Sequence, residues 1–506
     1  MIAQSGRECW ARDADAASKA VEARCGRGWD SLREAIFITK HGVGQMAVAP
    51  AENATARATL AARWNAVSGE KTPNYSRAWI TRALEHLPAD DPAAIAFRGA
   101  ASGDLLSEVA TARSTATAQA WHGVEVDVAT DRLWRAASRR GYQLDVDAMA
   151  QMQAHADAEL HRVRAQTGVD ARQPKSVKLA MRDYDIVPLT ADGQPALDSA
   201  GLPSLDKDIA VAVEAPPGLE WLRDAIARGR EAAAVESKLK ELRRASTTAG
   251  RVHPRFHAFG AVTGRMTVAK PAMQNFPKLL RPVLLADAGM TLVGADLSSV
   301  EPRVACILSG DQQMASDLSN EVDIYCTLAQ RIWGEPIVKD DPRRDIAKTS
   351  LLATIYGQGT RSLAAKIGFS QDDARAMRSF IDSTWPQFAA WRREVQQTSQ
   401  RRHPLFALSG RRLAQADEAY KAVNYMVQGS AADLYKAMVL AVDAELAAAG
   451  LPGSCWLPVH DELTVQVPIG AEQVAVEVLK KHMTTTINGV TISAAPKILG
   501  PTWGHP

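Results

Sequence analysis

The chain has few cysteines, no long apolar run and almost no net charge, and each shortage argues against a class of protein. Its five cysteines among 506 residues are scattered and form no Cys-x-x-Cys pair. This pattern argues against a disulfide framework and a structural zinc site, and it favours a reducing compartment. No run approaches eighteen apolar residues, and the amino terminus shows no signal-peptide pattern. We therefore expect a cytoplasmic protein without a membrane segment.

The bulk composition is that of an ordinary globular protein, with 46% apolar and 23% charged residues. Because the formal charge is only +2, any nucleic-acid surface must come from local segregation of charge. A length of 506 residues predicts about three or four domains.

The first 120 residues show no pattern that points to chemistry. They are rich in alanine and arginine, and they contain one predicted hairpin. Its strands would cover residues 35–39 and 45–48, joined through Gly42 and Gly44.

Residues 121–250 have the pattern of long amphipathic helices. Gly141 is predicted to cap one helix and Asp145 to begin the next, and another long helix is predicted after Gly218. The end of that last helix is basic, through Lys238, Lys240, Arg243 and Arg244. Such a run is either a solvated face or a contact for duplex phosphates.

After Gly250 the pattern becomes mixed. Residues 291–295 predict a buried strand, and residues 302–308 predict a helix with Pro302 in its first turn, where a missing N–H costs little. Residues 310–405 are mostly helical in pattern, and residues 456–459 and 463–467 predict two strands that meet at a tight turn. We expect a small sheet with a helical subdomain inserted into it.

Two aspartates stand at the tips of these apolar strands. Asp296 and Asp461 are about 165 residues apart in the sequence. Either one alone would more often be a cap or a turn residue. Together they could share two divalent metal ions, which prefer hard oxygen ligands and assist phosphoryl transfer when held about 3.5–4 Å apart.

A helix-spaced stripe lies between the two aspartates. Arg344, Lys348, Leu352 and Tyr356 recur at every fourth residue and so follow one broad helix face. Arg344 and Lys348 could grip the β and γ phosphates of a triphosphate, and Tyr356 could offer a ring to a nascent base pair. The alternative is a surface helix with two cations and a core tyrosine. Together with the two acidic clusters, the stripe favours templated nucleotidyl transfer.

From about residue 125 to its end, the chain resembles DNA polymerase family A, the family of bacterial polymerase I and phage replicases. Five ordered segments carry the resemblance, and the family's order is kept. These segments are Thr263-Gly264-Arg265-Met266 with Gln274-Asn275-Phe276-Pro277, residues 296–303 as motif A, residues 344–357 as motif B, residues 428–433, and His460-Asp461-Glu462 as motif C.

The resemblance implies a role for each matched residue. Asp296 and Asp461 would be metal ligands with help from the Leu297 carbonyl, and Glu462 would lie close to the primer end. Glu301 would close against the sugar beneath Tyr356 and exclude a 2′-hydroxyl. Lys348 would be the general acid for the leaving pyrophosphate. Residues that would contact the primer terminus or the minor groove are Arg265, Gln428 and His460, and the segment of Gln274 and Asn275 belongs to the same DNA-binding set.

The chain departs from the family pattern near the expected nucleotide site. Leu352 stands where Phe or Tyr is usual, so expectations about dideoxynucleotide discrimination do not transfer. Tyr325 stands where a phosphate-binding His is general, and we assign it to the nucleotide site. Further departures are Ala353 for Gly, Tyr420 for Arg and Ser299 for Gln. We expect activity with altered nucleotide handling or fidelity.

The predicted fold class is α+β, a right-hand polymerase fold with an antiparallel palm sheet, helical fingers and thumb, and a small N-terminal α/β module. The predicted boundaries are 1–120 for a module that could be a degenerate exonuclease, 121–255 for the thumb, 256–310 and 406–506 for the palm, and 311–405 for the fingers. The predicted hairpin lacks an Asp-x-Glu pair, and Asp157-Ala158-Glu159 is interpreted as surface charge on a helix. We therefore expect no proofreading.

The expected function is DNA-templated addition of dNTPs to a primer, with two Mg²⁺ ions and Mn²⁺ as a substitute. The expected partners are primer-template DNA and dNTPs. Two alternatives remain open. A single-subunit RNA polymerase shares the aspartates and the Arg/Lys/Tyr helix, although Glu301 and the Gln-Asn-Phe-Pro segment favour DNA synthesis. A non-catalytic primer-template binding protein could also keep the fold.

Overall fold

A computed structural model of the chain describes residues 118–189, 194–206, 212–319 and 323–504. The predicted hairpin at residues 35–48 and the N-terminal module lie outside the described residues. The described part mixes long helices with small antiparallel sheets, as the α+β prediction requires.

The central element is a four-stranded antiparallel sheet. Its strands are β8 (Met290–Asp296), β9 (Cys455–Val459), β10 (Glu462–Pro468) and β13 (Lys497–Gly500), in the order β13-β8-β10-β9. The middle of β8 and β10 is buried on both faces, which explains the apolar run in β8. In β10 the polar residues Thr464 and Gln466 are buried between apolar neighbours. Both predicted strands beside the His460-Asp461 turn are confirmed.

The residues before the sheet form a helical arm. Helices α2 (Val146–Thr167) and α4 (Glu220–Ala245) pack along each other. They approach closely at Gly229, where a Cβ would lie 3.0 Å from Val163 Cγ1 of α2 and 2.8 Å from the Ala171 Cβ in the segment after α2. The predicted starts are confirmed, since Asp145 caps α2 and α4 begins just after Gly218. The other elements of this part are α1 (Ala118–Arg140), β1 (Tyr142–Leu144), α3 (Pro174–Asp183), β2 (Val187–Leu189) and β3 (Ala212–Glu214).

The reading of Asp157 and Glu159 as surface charge is only half right. Asp157 is exposed on α2, but Glu159 is buried. Its carboxylate is within ion-pair distance of Arg162 and lies 3.2 Å from Nε of Arg228. A buried carboxylate with two cationic partners is a structural ion pair that sequence pattern alone does not reveal.

Short elements lead from the arm into the sheet. They are β4 (Arg251–Val252), β5 (Arg255–His257), β6 (Thr267–Ala269), a 3₁₀ turn (Lys278–Val283) and β7 (Leu284–Leu285). β4 and β7 flank β1, so the base of the arm joins the segment that precedes β8.

A helical insertion separates β8 from β9, as predicted. Its helices are α5 (Val300–Ser309), α6 (Gln312–Ser319), α7 (Ile324–Trp333), α8 (Pro342–Ile355), α9 (Thr360–Ile367), α10 (Gln371–Thr384), α11 (Pro386–Gln400) and α12 (Lys421–Ala448). Capping carboxylates start two of them: Asp323 accepts from the Tyr325 N–H, and Asp341 accepts from the Arg343 N–H. After β10 come α13 (Glu472–His482), which packs on β8, and the hairpin of β11 (Thr485–Ile487) with β12 (Val490–Ile492).

One large hydrophobic core joins the sheet to the base of the arm and the insertion. Fully buried aromatic residues form its centre: the rings of Tyr142 and Trp456 lie 4.9 Å apart, and those of Trp456 and Trp503 lie 6.3 Å apart. The three described cysteines, Cys306, Cys326 and Cys455, are buried and free. No described helix is both long enough and apolar enough to cross a membrane.

A buried ion pair fastens the first described helix to the longest one. Lys436 of α12 pairs with Asp127 of α1, and both side chains are almost fully buried. The Lys436 ammonium also lies 5.0 Å from the centre of the Phe259 ring. Such a pair fixes the relative position of two helices, because separating its members would leave a charge without compensation.

Candidate active site

Strand pairing brings Asp296 and Asp461 together. Asp296 is the last residue of β8, and Asp461 lies in the turn that opens β10. In the register of the two strands Glu462 faces Asp296, and the Leu297 N–H donates to the Asp461 carbonyl at 3.2 Å. His460 adopts a left-handed backbone conformation (φ 55°), which makes the turn tight enough to aim Asp461 at the end of β8.

Both aspartates lie in an electrostatic setting that disfavours a bare negative charge. Burial raises the pKa of Asp296, and the neighbouring charge of Glu462 raises it further, although the side chain remains open to solvent. Burial also raises the pKa of Asp461, where Arg265 opposes the shift and Glu301 and Asp296 add to it. Carboxylates in this state gain from a bound cation.

The oxygen atoms at this point fit a divalent metal ion. The carboxylates of Asp296 and Asp461 and the carbonyl of Leu297 are hard ligands of the kind that Mg²⁺ prefers. Within the described ranges, no three His, Cys, Asp or Glu side chains form a metal-binding group. Water and substrate phosphate would therefore have to complete the coordination, as is usual for Mg²⁺.

Glu301 is the centre of a polar network beside the aspartates. Its Oε1 accepts from Arg265 Nη2 at 2.6 Å, and its Oε2 accepts from the Tyr356 hydroxyl. The same Arg265 nitrogen lies 3.9 Å from Asp461. Burial, and next the charge of Glu301, raise the pKa of Tyr356, while Gln428 lies within hydrogen-bonding reach of its hydroxyl. The network joins five of the residues that the sequence assigned to the site.

The stripe on α8 faces this network, and its two cations share one aromatic ring. The Arg344 guanidinium lies 5.4 Å and the Lys348 ammonium 5.7 Å from the centre of the Tyr325 ring. Arg344 is also held by Asp323, whose Oδ2 accepts from its Nε at 3.0 Å. Lys348 is exposed, and its charge opposes the rise in the pKa of Asp296.

The backbone geometry after Tyr356 requires a glycine at position 357. Its φ is 68°, and a Cβ at this position would lie 2.4 Å from the Tyr420 carbonyl oxygen. Only glycine allows the chain to turn so closely past Tyr420 at the end of α8. Tyr420 itself is exposed, and Leu352 is half-buried against the core one turn before Tyr356.

The remaining predicted residues lie nearby but are less closely joined to the aspartates. Gln274 donates from its amide to the Met266 carbonyl at 3.1 Å, whereas Asn275 is exposed. Glu462 lies 3.4 Å from Arg281, and its carbonyl accepts from the Tyr435 hydroxyl at 2.7 Å. These contacts fix the backbone of β10 at its first residue.

Sequence reasoning missed Arg411, which is buried behind the site. Its Nε lies 2.9 Å from Asp433, and its Nη2 donates to the carbonyls of Thr263 (2.9 Å) and Gly429 (3.2 Å). Arg411 thus ties the turn that carries Arg265 to the part of α12 that carries Gln428. No local signal could have identified it, because its three acceptors come from distant parts of the chain.

A family model described as DNA polymerase family A matches residues 203–505. The chain is 32% identical over 277 residues to DNA polymerase I of Chloroflexus aurantiacus, covering 50% of this chain and 29% of that protein. It is 27% identical over 389 residues to the thermostable DNA polymerase I of Thermus filiformis (72% and 46%) and 28% identical over 259 residues to the DNA polymerase of Mycobacterium phage D29 (50% and 42%). It therefore spans less than half the length of each of these curated relatives.

A solved structure shares the fold. It is described as the POL domain of Pol1 from M. smegmatis in complex with DNA primer-template and dNTP. The TM-score is 0.67 at 20% identity, and the match covers 93% of this chain and 81% of the other. The predicted α+β polymerase fold is therefore confirmed for the described residues.

Proposed function

Because the chain belongs to DNA polymerase family A, we propose that it adds dNTPs to the 3′ end of a primer on a DNA template. One observation carries the proposal. Asp296 and Asp461 lie together at the ends of paired strands, and the neighbouring helix α8 places Arg344 and Lys348 over one aromatic ring. Oxygen ligands for metal and paired cations for phosphate are the parts that phosphoryl transfer needs.

Family membership implies dependence on a divalent metal ion. We propose two Mg²⁺ ions, with Mn²⁺ as a substitute, held by Asp296, Asp461 and the Leu297 carbonyl. When bound, such ions lower the pKa of an attacking hydroxyl and neutralise the charge of a leaving pyrophosphate. The chain's own contribution is rigidity: the backbone bond from Leu297 to Asp461 fixes the two ligand positions relative to each other.

The α8 side of the site would bind the incoming nucleotide. Arg344 and Lys348 would contact the β and γ phosphates, and Nζ of Lys348 would give a proton to the leaving pyrophosphate. Tyr356 would stack near the nascent base pair, with Leu352 one turn away on the same helix. Glu301, held by Arg265 and Tyr356, would stand where a 2′-hydroxyl has to fit, so that deoxyribonucleotides are selected.

Other residues in and beside the same network would bind the primer-template. We propose that Arg265, Gln428 and His460 contact the primer terminus or the minor groove, with Gln274 and Asn275 on the adjoining segment and Glu462 close to the primer end. The basic end of α4 offers a further phosphate contact through Arg243 and Arg244, which are exposed, whereas Lys238 and Lys240 are paired with glutamates on their own helix.

In domain terms we propose a thumb at 121–255, a palm at 256–310 and 406–506, and fingers at 311–405. We also propose that the enzyme lacks proofreading. In the described residues, the Asp157-x-Glu159 pair lies on α2, where both carboxylates are paired with arginines. Paired carboxylates on a helix do not form the open metal site that an exonuclease needs.

The experiment that tests the function is primer extension on a DNA template with Mg²⁺ and each dNTP. Wild type should extend a matched primer, and Asp461→Asn and Asp296→Asn should each lose nearly all extension while still binding the duplex. Asp372→Asn is the matched control, because it makes the same chemical change at an exposed position on α10. Near wild-type extension by Asp461→Asn would remove the metal assignment.

The same assay decides between the alternatives. Equal use of rNTPs and dNTPs would favour an RNA polymerase-like enzyme. Tight duplex binding with no extension under any metal ion would favour a non-catalytic binding protein. A primer with a mismatched end reports on proofreading, because excision before extension would contradict the proposed lack of an exonuclease.

A further inference from the structure

Tyr325 lies beneath both cations of the α8 stripe. It is the second residue of α7 and is 5% exposed, so its ring is a buried surface on which Arg344 and Lys348 rest at 5.4 and 5.7 Å. A cation over a tyrosine face is attracted by the ring quadrupole, and this attraction strengthens where water is excluded. One buried ring therefore lies under two cations of α8.

The hydroxyl of Tyr325 points to a different partner. The Ser299 side chain lies within hydrogen-bonding reach, while burial raises the pKa of the phenol to about 12. Ser299 is the residue before α5 and has a left-handed backbone conformation with φ 47°. Tyr325 thus bridges the α8 cations on its face and the start of α5 at its tip.

The two cations depend on the ring to different degrees. Arg344 has a second anchor, since Asp323 Oδ2 accepts from its Nε at 3.0 Å and its Nη2 at 2.5 Å. The other oxygen of Asp323 caps α7 by accepting from the Tyr325 N–H at 2.9 Å. Lys348 forms no ion pair with any residue in the described part of the chain. Its ammonium lies over the face of the Tyr325 ring.

We propose that Tyr325 is a positioning residue, which holds Arg344 and Lys348 in place for the terminal phosphates of the triphosphate and does not itself bind phosphate. The face of the ring serves the cations, and the hydroxyl is turned to Ser299. This inference rests on the proposed nucleotidyl transfer, because it names how the same site recognises the triphosphate part of its substrate.

The first test compares Tyr325→Phe with Tyr325→Leu. Phe keeps the ring, so its KM for dNTP should stay within about twofold of wild type. Leu removes the ring, and its KM for dNTP should rise about tenfold, as expected for a cation–π attraction of about 1–2 kcal/mol. The dissociation constant for primer-template should not change in either variant. If the KM for dNTP of Tyr325→Phe is as high as that of Tyr325→Leu, the role belongs to the hydroxyl and the proposal is overturned. An unchanged KM for dNTP in Tyr325→Leu would also overturn it.

A second test avoids a large change in packing. Phenylalanines with increasing numbers of ring fluorines, placed at position 325, weaken the ring quadrupole while keeping a similar shape. The KM for dNTP should rise steadily with fluorination, with no loss of melting temperature. A flat series would overturn the proposal even if Tyr325→Leu fails to fold.

A third measurement separates this inference from the proposed function. Inorganic triphosphate binding to the intact chain needs no catalysis. Its dissociation constant should rise about tenfold in Tyr325→Leu and stay near the wild-type value in Tyr325→Phe. Suppose that wild type does not extend a primer but binds triphosphate about tenfold more tightly than Tyr325→Leu does. That result would overturn the polymerase assignment and keep the role of Tyr325. Equal binding by all three proteins would overturn the role of Tyr325 alone.

Discussion

Replacing Arg411 by Met should cost both stability and activity. The guanidinium is 1% exposed, lies 5.0 Å from the Phe259 ring and bridges three acceptors. These are the Asp433 carboxylate at 2.9 Å and the carbonyls of Thr263 and Gly429 at 2.9 and 3.2 Å. Met fills much of the volume but donates no hydrogen bond, so the change tests the polar contacts more than the packing.

The expected loss of unfolding free energy in Arg411→Met follows from the Asp433 carboxylate, which stays largely buried without its partner. Removing one member of a buried ion pair costs roughly 3–5 kcal/mol, because the other charge stays without compensation. The Asp433 side chain is 13% exposed and also accepts from Ser409, so we expect a value near the lower end of that range. Arg411→Lys should lose less, about 1–2 kcal/mol, because an ammonium cannot reach all three acceptors as the planar fork does.

Urea unfolding followed by circular dichroism measures the stability, and primer extension measures the activity. Arg412→Met is the matched control, because Arg412 is the next residue and is exposed. The double variant Arg411→Met with Asp433→Leu should recover most of the stability, since apolar replacement of a buried pair is often neutral. It should not recover extension, because the Thr263 and Gly429 carbonyls still lack their donor. Stability of Arg411→Met within 1 kcal/mol of wild type would refute this reasoning.

Three further outcomes are expected. Glu301→Ala should lower the preference for dNTP over rNTP, measured as the ratio of their kcat/KM values, by roughly 100-fold. The reason is that a site without a group that excludes the 2′-hydroxyl discriminates poorly against a substrate with one added hydroxyl. An unchanged ratio in single-nucleotide kinetics would contradict this prediction. Lys348→Ala should lower kcat by roughly 10²–10⁴-fold in rapid-quench assays, as for loss of a general acid, and Lys348→Arg should be less affected. Asp127→Ala should cost roughly 3–5 kcal/mol in urea unfolding by leaving Lys436 buried and unpaired, and combining it with Lys436→Met should recover most of that loss.

Local patterns predicted most elements of the fold. An apolar run ending in Asp296 predicted β8, and two strand patterns on either side of the His460-Asp461 turn predicted β9 and β10. Spacing of four residues predicted the face of α8. These features depend on neighbours in sequence. Gly141 and Asp145 predicted the boundary between two helices, because capping is a local interaction.

Contacts between distant segments were not predictable. The register that sets Glu462 opposite Asp296 depends on two strands far apart in sequence. Tyr325 was assigned to the nucleotide site by resemblance, but its place under Arg344 and Lys348 depends on how two helices pack. Glu159 can be buried because it pairs with one arginine on its own helix and another on α4. The local sequence, an acidic residue among alanines, does not reveal these partners.

The position of β8 in the sheet has a consequence for how the chain is made. Both of its neighbours, β10 and β13, come from the last fifty residues of the described chain, more than 160 residues after β8 itself. Synthesis runs from the amino terminus. Until β10 and β13 have been made, both edges of β8 lack their partner strands, and Leu292 and Val293 are exposed to solvent. We expect nascent chains that end before β10 to need protection from aggregation and to have no catalytic activity. The two aspartates can therefore meet only after the segment that carries Asp461 has been synthesised.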